Sequence, residues 1–178
     1  YLGHGGDNGW SHERYLKRSD IHSWKNKYNL PLFYAGSCSF GMYDKTTSAS
    51  PAEEMLIKSD GGGIGVISAT RSSYPGTNEY FGIKMHNFAF EKSNNTYRTI
   101  GQIFSESKNI CGGVGMYVLM GDPSLTLAYP KEKVCTDSIN SLCISSITDT
   151  MKALSFITIK GRVTDANHHT LTDFNGYV

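Results

Sequence analysis

Apolar and polar positions along the chain fall into blocks whose period changes from one stretch to the next. LPLFYAG (30–36) and IGVISAT (64–70) are short unbroken apolar runs of strand length, and Pro31 stands near the start of the first, where a missing N–H is tolerated. YVLM (117–120) and LTLAY (125–129) read as two further strands around the turn GDPS. Between these runs the spacing is helical. SDIHSWKNKYN (19–29) places Ile21 and Trp24 three apart behind a serine or aspartate cap, and NEYFGIKMHNFAFEK (78–92) predicts an amphipathic helix despite Gly82. TIGQIFSESKN (99–109) predicts another. The best-marked helix lies in SPAEEMLIKSDGG (50–62), where Ser50 caps, Pro51 takes the first helical position, Glu53 closes a capping box and glycines follow the end.

Short apolar strands separated by capped helices predict an α/β sandwich with a mostly parallel sheet. LPLFYAG and IGVISAT are expected to be adjacent and parallel, joined through the helix at 51–59 in a right-handed crossover. The element before His4 is expected to pair with the first of these strands on its other side. After Pro130 the texture changes. Residues 131–154 are polar and weakly periodic, which predicts a linker, and from Phe156 to Val163 the alternation fits a half-buried antiparallel strand. DANHHTLTD would be a turn and FNGYV (174–178) a second strand. The chain therefore reads as an α/β part over 1–130, a linker over 131–154 and the start of a β-domain over 155–178, with both ends expected to fall inside elements.

Composition narrows the partners. Of 178 residues, 39% are hydrophobic and 19% charged, as in an ordinary globular protein. Seventeen lysines and arginines against sixteen acidic residues give a net charge of +1 with no basic stripe, so nucleic acid is not an expected partner. The apolar runs fall far short of the roughly 20 residues that span a bilayer. Cys38, Cys111, Cys135 and Cys143 lack C-x-x-C spacing, so neither a metal site nor a cofactor is expected from them. A Cys135–Cys143 disulfide stays open as one reading, provided that the two Cα atoms lie within about 7 Å.

Three groups of residues carry candidate chemistry. The glycine run DGGGIGV (60–66) has the composition of a phosphate loop, but it follows a helix and opens a strand, the reverse of what such loops do, so it is expected to be a helix stop. His12, His22, His86, His168 and His169 show no zinc-protease spacing and are expected at the surface. The third group is GHGG (3–6) with YAGSCSFG (34–41). Cys38 follows an apolar strand and so falls at the carboxyl edge of the sheet, where open α/β sheets place their sites, and a parallel crossover would bring His4 to the same edge. A free thiol has a pKa of about 8.5 and is mostly protonated at neutral pH; a neighbouring imidazole shifts that balance and later supplies a proton to the leaving amine. The glycines around His4 let a substrate backbone approach and leave N–H groups for an oxyanion. Spacing alone leaves a turn histidine and an inert buried cysteine as the other reading.

Taken together and in order, YLGHGGDNGW, LPLFYAGSCSFGMYD, SPAEEML, GGGIGVISATRSSYP and LMGDPSLTLAYP resemble the catalytic domain of the gingipain family of caspase-like cysteine peptidases, over residues 1 to about 130. Within that family the resemblance is closest to the cell-surface signal peptidases and sortases of the type IX secretion system. It implies a caspase-like α/β sandwich with His4 and Cys38 as catalytic residues and the N–H groups of Gly5 and Cys38 as the oxyanion hole. It also implies that Thr70, Arg71, Ser72, Ser73 and Tyr74 border the pocket for the residue before the cleaved bond, and that 155–178 begin an immunoglobulin-like domain. The implied partners are secreted cargo carrying a C-terminal signal domain and an outer-membrane secretion partner, with no cofactor, at the cell surface on the extracellular side of the outer membrane. The implied reaction removes the signal through a thioester acyl-enzyme and attaches the cargo to a surface amine. A purely hydrolytic secreted protease and a non-catalytic binding relative are the other readings.

Overall fold

The computed structural model describes residues 1–11, 13–146 and 152–174 and divides into two units, Tyr1–Leu127 and Ala128–Val178. In the first unit, β1 (Gly5–Gly6), β2 (Gly9–Trp10) and β3 (Leu16–Lys17) form a small antiparallel sheet in sequence order. Helix α1 (Arg18–Ser23) follows. It stops well short of the expected residue 29, because tertiary contacts take over: Trp24 stacks on Phe33 at 5.4 Å, and the Asn26 amide donates to Gly62 O and accepts the Gly62 N–H, both at 2.9 Å.

Strand β4 (Leu32–Ala35), helix α2 (Pro51–Ile57) and strand β5 (Gly65–Ala69) follow one another, and β4 and β5 are adjacent and parallel as expected, from Leu32↔Gly65 to Ala35↔Ser68. The capping box forms as read: Ser50 Oγ accepts the Glu53 N–H at 3.3 Å and the Glu53 carboxylate accepts the Ser50 N–H at 2.6 Å. The glycine run is a helix stop. Gly62 has φ +100, Gly63 N–H donates to Met55 O, and a Cβ at Gly62 would stand 1.9 Å from that oxygen. On the other side of β4, Leu2 bridges Gly36 in parallel, with Gly36 N–H donating to Tyr1 O at 2.8 Å and Gly3 N–H to Gly36 O at 3.1 Å.

Helices α3 (Pro75–Phe90) and α4 (Ile100–Ile110) then lead to β6 (Tyr117–Gly121), which pairs antiparallel with β5. One helix carries the chain back to the edge where the strand began, so the next strand is parallel, whereas two bring it back to the edge it left, which reverses the strand. Residues 125–129 are not the expected strand, because their neighbourhood serves α4 instead: Pro123 and Leu125 carbonyls accept the Gly101 and Ile100 N–H groups, two donors that the first turn of a helix leaves unpaired. β5 is buried along its whole length. Successive side chains face opposite layers, Val66 packing with Ile21, Phe40 and Met55 and Ile67 with Phe81, Ile103 and Tyr117. The first unit is therefore an α/β sandwich.

In the second unit, β7 (Lys133–Ile139), β8 (Leu142–Cys143) and β9 (Ile159–Thr164) form an antiparallel sheet in the order β8-β7-β9. The stretch 131–154, read as a linker, thus carries the central strand. Thr136, Asp137 and Ser138 mask its alternation, and the strand is held by backbone pairing to β9, with a register shift between Thr136 and Ser138. The turn after β9 is built on Asp165, whose carboxylate accepts the N–H groups of Asn167 and His169. The second strand expected at 174–178 lies, beyond Phe174, outside the described residues. Cys135 and Cys143 are free thiols: Cys143 stands opposite Ser138 and Cys135 opposite Arg162, so the disulfide is not formed. No helix among the described residues is long and apolar enough to cross a membrane.

Candidate active site

Cys38 lies just past the carboxyl end of β4. The chain there is fixed from two directions: Ser39 N–H donates to Arg71 O at 3.1 Å and Gly41 N–H to Ala69 O at 3.0 Å, while Phe40 is fully buried against Trp10. Ser39 takes φ +52, a left-handed conformation uncommon for a side-chain-bearing residue, and so turns the chain sharply after the cysteine. The half-buried Cys38 Sγ accepts the Ser73 N–H at 3.4 Å and lies 3.6 Å from Ser73 O.

His4 is carried by the neighbouring Tyr1–Gly3 segment. Its carbonyl accepts both the Tyr1 hydroxyl at 2.8 Å and the Ser11 N–H at 2.7 Å, and Tyr1 in turn stacks on Trp10 at 4.6 Å. These contacts fix the His4–Gly5 peptide plane. Gly5 faces Ser37 so closely that a Cβ would stand 2.5 Å from Ser37 Oγ and 2.7 Å from Ser37 Cβ. The backbone of Gly5 thereby sits against the residue that precedes Cys38.

His4 and Cys38 line one cleft of about 360 Å³. Leu2, Gly3 and Gly36 contribute from the paired strands, and Ser73, Pro75, Asn78 and Glu79 from the start of α3 and the segment before it. Of the residues expected to border the substrate, Ser73 lines this cleft. Thr70, Arg71, Ser72 and Tyr74 lie outside its lining: Thr70 donates to Met116 O, Arg71 pairs with Asp44, and Tyr74 is 75% exposed at the head of α3.

Asn78 and Glu79 were not singled out in the sequence. Asn78 is the more telling omission, being a polar residue on the buried face of α3. Its side-chain oxygen accepts the Tyr117 hydroxyl at 2.8 Å and its carbonyl the Tyr34 hydroxyl at 2.6 Å. Burial pushes the pKa of both phenols up, so they remain hydroxyl donors across the physiological range. Glu79 gave no signal because it stands on the exposed side of a helix, where charge is unremarkable. His22, His86, His168 and His169 are exposed, and His12 lies outside the described residues. No group of three or more metal-ligating side chains comes together among the described residues.

A second hollow, of about 670 Å³, opens on the other side of His4, between the β1–β2 hairpin and the segment from Arg14 to Ser19. Its charges are partly matched. Asp7 pairs with Lys45, whose ammonium holds the carboxyl below its ordinary pKa, and Arg18 donates to both oxygens of Glu54.

The fold is that of the gingipain catalytic domain. Solved structures similar to this chain include the complex of the pro- and mature domains of RgpB from Porphyromonas gingivalis, with a TM-score of 0.64 and 22% identity. The Arg-specific cysteine proteinase gingipain R (RgpB) matches with a TM-score of 0.62 and 21% identity. Both cover 76% of this chain, which spans 36% and 35% of theirs. The model of peptidase family C25 matches residues 1–128, and the chain belongs to that family, the gingipain family of cysteine peptidases. No curated protein shows a significant match.

Proposed function

We propose that this chain carries the catalytic centre of a cysteine endopeptidase and transpeptidase of the PorU type, which removes C-terminal signal domains from secreted cargo and transfers the cargo to an amine at the cell surface. The observation that carries the reading is that His4 and Cys38, from two paired strands, line the same cleft, with Gly5 packed on the residue before Cys38. In the reaction the Cys38 thiolate attacks the peptide carbonyl. The C–S bond forms, the C–N bond breaks, and His4 gives its proton to the departing amine. The N–H groups of Gly5 and Cys38 hold the oxyanion. An incoming amine then attacks the thioester, its proton passes to His4, the new C–N bond forms and the thiolate leaves. With water in place of the amine the product is a free carboxylate.

Ser73 supports the nucleophile, and the Asn78–Tyr117–Tyr34 network supports the wall of the cleft. Thr70, Arg71, Ser72 and Tyr74 act at the margin of the substrate rather than in the cleft. The second unit is the start of an immunoglobulin-like domain, consistent with its antiparallel pairing. The protein works on the outer face of the outer membrane beside a secretion partner. A purely hydrolytic protease is the second reading, favoured by the two similar structures being proteinases. A non-catalytic relative would have no use for a histidine and a thiol in one cleft.

Labelling of the full-length protein with a peptide electrophile tests the first step. Adduct on Cys38, absent from Cys38→Ala, is the expected result; a label that persists in that variant removes the assignment. Mass spectrometry of mature cargo tests the second step: an amide-linked carboxyl terminus is expected, and free carboxylate alone in cells that supply the acceptor would leave the hydrolytic reading.

A further inference from the structure

We propose that the 670 Å³ hollow beyond His4 receives the part of the substrate on the carboxyl side of the cleaved bond, and that Arg14 and Lys17 make it selective for acidic side chains there. This rests on the reading of His4 and Cys38 as the catalytic pair. His4 is a wall of both cavities, whereas Cys38 lines the smaller one and not the larger. The acyl part of the substrate stays bonded to Cys38 and therefore occupies the smaller cleft. The amine that leaves takes its proton from the imidazole, so it departs past His4, and the cavity on that side is the hollow. By microscopic reversibility the second nucleophile enters along the same route.

The charge of the hollow sets its preference. Asp7 is neutralised by Lys45, and Arg18 is committed to Glu54 and to Ala49 O. Arg14 and Lys17 line the same hollow, are exposed, and stand in no ion pair among the described residues. Two unmatched cations beside two internally balanced pairs favour a carboxylate over an ammonium on the departing segment. Nothing comparable marks the smaller cleft, where Glu79 supplies the single charged carboxylate of the lining. The two sides of the bond are thus read by cavities of opposite charge.

The experiment uses the full-length protein and a pair of peptides identical up to the cleaved bond but carrying glutamate or lysine at the positions just after it. The readout is the ratio of the two kcat/KM values, which does not depend on how much of a preparation is folded. The wild-type protein is expected to favour the glutamate peptide by about tenfold, the scale of one well-placed charge contact. Arg14→Glu combined with Lys17→Glu is expected to bring that ratio to about one or below it. A wild-type ratio near one, or a ratio unmoved by the double charge reversal, overturns the assignment of the hollow while leaving Cys38 as nucleophile. Failure of the wild-type protein to form any Cys38 adduct with a peptide electrophile overturns the catalytic reading and this inference with it.

Discussion

Gly5→Ala is the substitution that most directly tests how the two halves of the site are held together. The added methyl would stand 2.5 Å from Ser37 Oγ, 2.7 Å from Ser37 Cβ and 3.4 Å from Gly9 O. Relaxed contacts between such atoms lie at about 3.5–4.0 Å, so the segments must part by roughly 1 Å. Ser37 has nowhere to withdraw, since it is fully buried and its neighbours in β4 are paired on both sides. Overpacking of this kind costs about 1–3 kcal/mol, and a misplacement of about 1 Å in reacting groups lowers rates by about 10²-fold. We expect Gly5→Ala to unfold a few degrees below wild type and to react with a peptide electrophile about 10²-fold more slowly. Ser37→Ala in that background removes Oγ but leaves the Cβ contact and should recover little. Ser37→Gly removes both and should recover most of the rate, less about 0.5–1 kcal/mol of stability for the added backbone freedom. Measured labelling rates and thermal midpoints for the four proteins decide the matter. A Gly5→Ala variant that matches wild type in both, or a rate that Ser37→Gly fails to improve, would refute the contact as the element that sets the spacing of His4 and Cys38.

Two further outcomes follow from the hydrogen bonds and ion pairs. Tyr117→Phe strips the donor from the buried Asn78 oxygen and should lower unfolding stability by about 1–3 kcal/mol in urea titrations, with slower Cys38 labelling, because α3 borders the cleft. Asp60 accepts hydrogen bonds from Lys25 and Lys58 and is held at about 2, below its ordinary 3.8. Its carboxylate therefore stabilises the fold above the ordinary value, and that contribution fades as pH falls toward the lowered one. Asp60→Asn should unfold more easily than wild type at pH 6, and the two denaturation midpoints should converge as pH approaches 2; a gap that stays constant would contradict the assignment.

How much of this was legible in the sequence depends on whether the deciding interaction is local. The capping box at Ser50 and Glu53, the glycine stop at Gly62 and the apolar runs of β4 and β5 each carry their own signal within a few residues. The pairing of Tyr1–Gly3 with β4 followed from reading His4 and Cys38 at one sheet edge. What escaped is what distant partners decide. α1 ends early because Trp24 and Asn26 are drawn to Phe33 and Gly62, and residues after Gly121 cap α4 instead of forming a strand. β7 hides behind threonine, aspartate and serine because its stability comes from main-chain bonds to β9. In the candidate site, Cys38, His4 and Gly5 stood out in the sequence, whereas Asn78 and Glu79 enter the cleft through the placement of α3 on the sheet, which no short motif encodes.

The pairing of Tyr1–Gly3 with β4 also orders events during folding. Positions 4 and 38 meet through strands that are neighbours in space and not in the chain, so a long loop must close before the imidazole and the thiol share a cleft. Non-local parallel pairing of this type is slow compared with forming α2 or α4. On the proposed assignment of the site, a nascent or partly collapsed molecule would hold Cys38 without the His4 imidazole and without the Gly5 N–H beside it, and would be silent toward peptide bonds, its own included. Under that assignment the strand pairing would act as a timer, with reactivity emerging only when the long-range topology is complete.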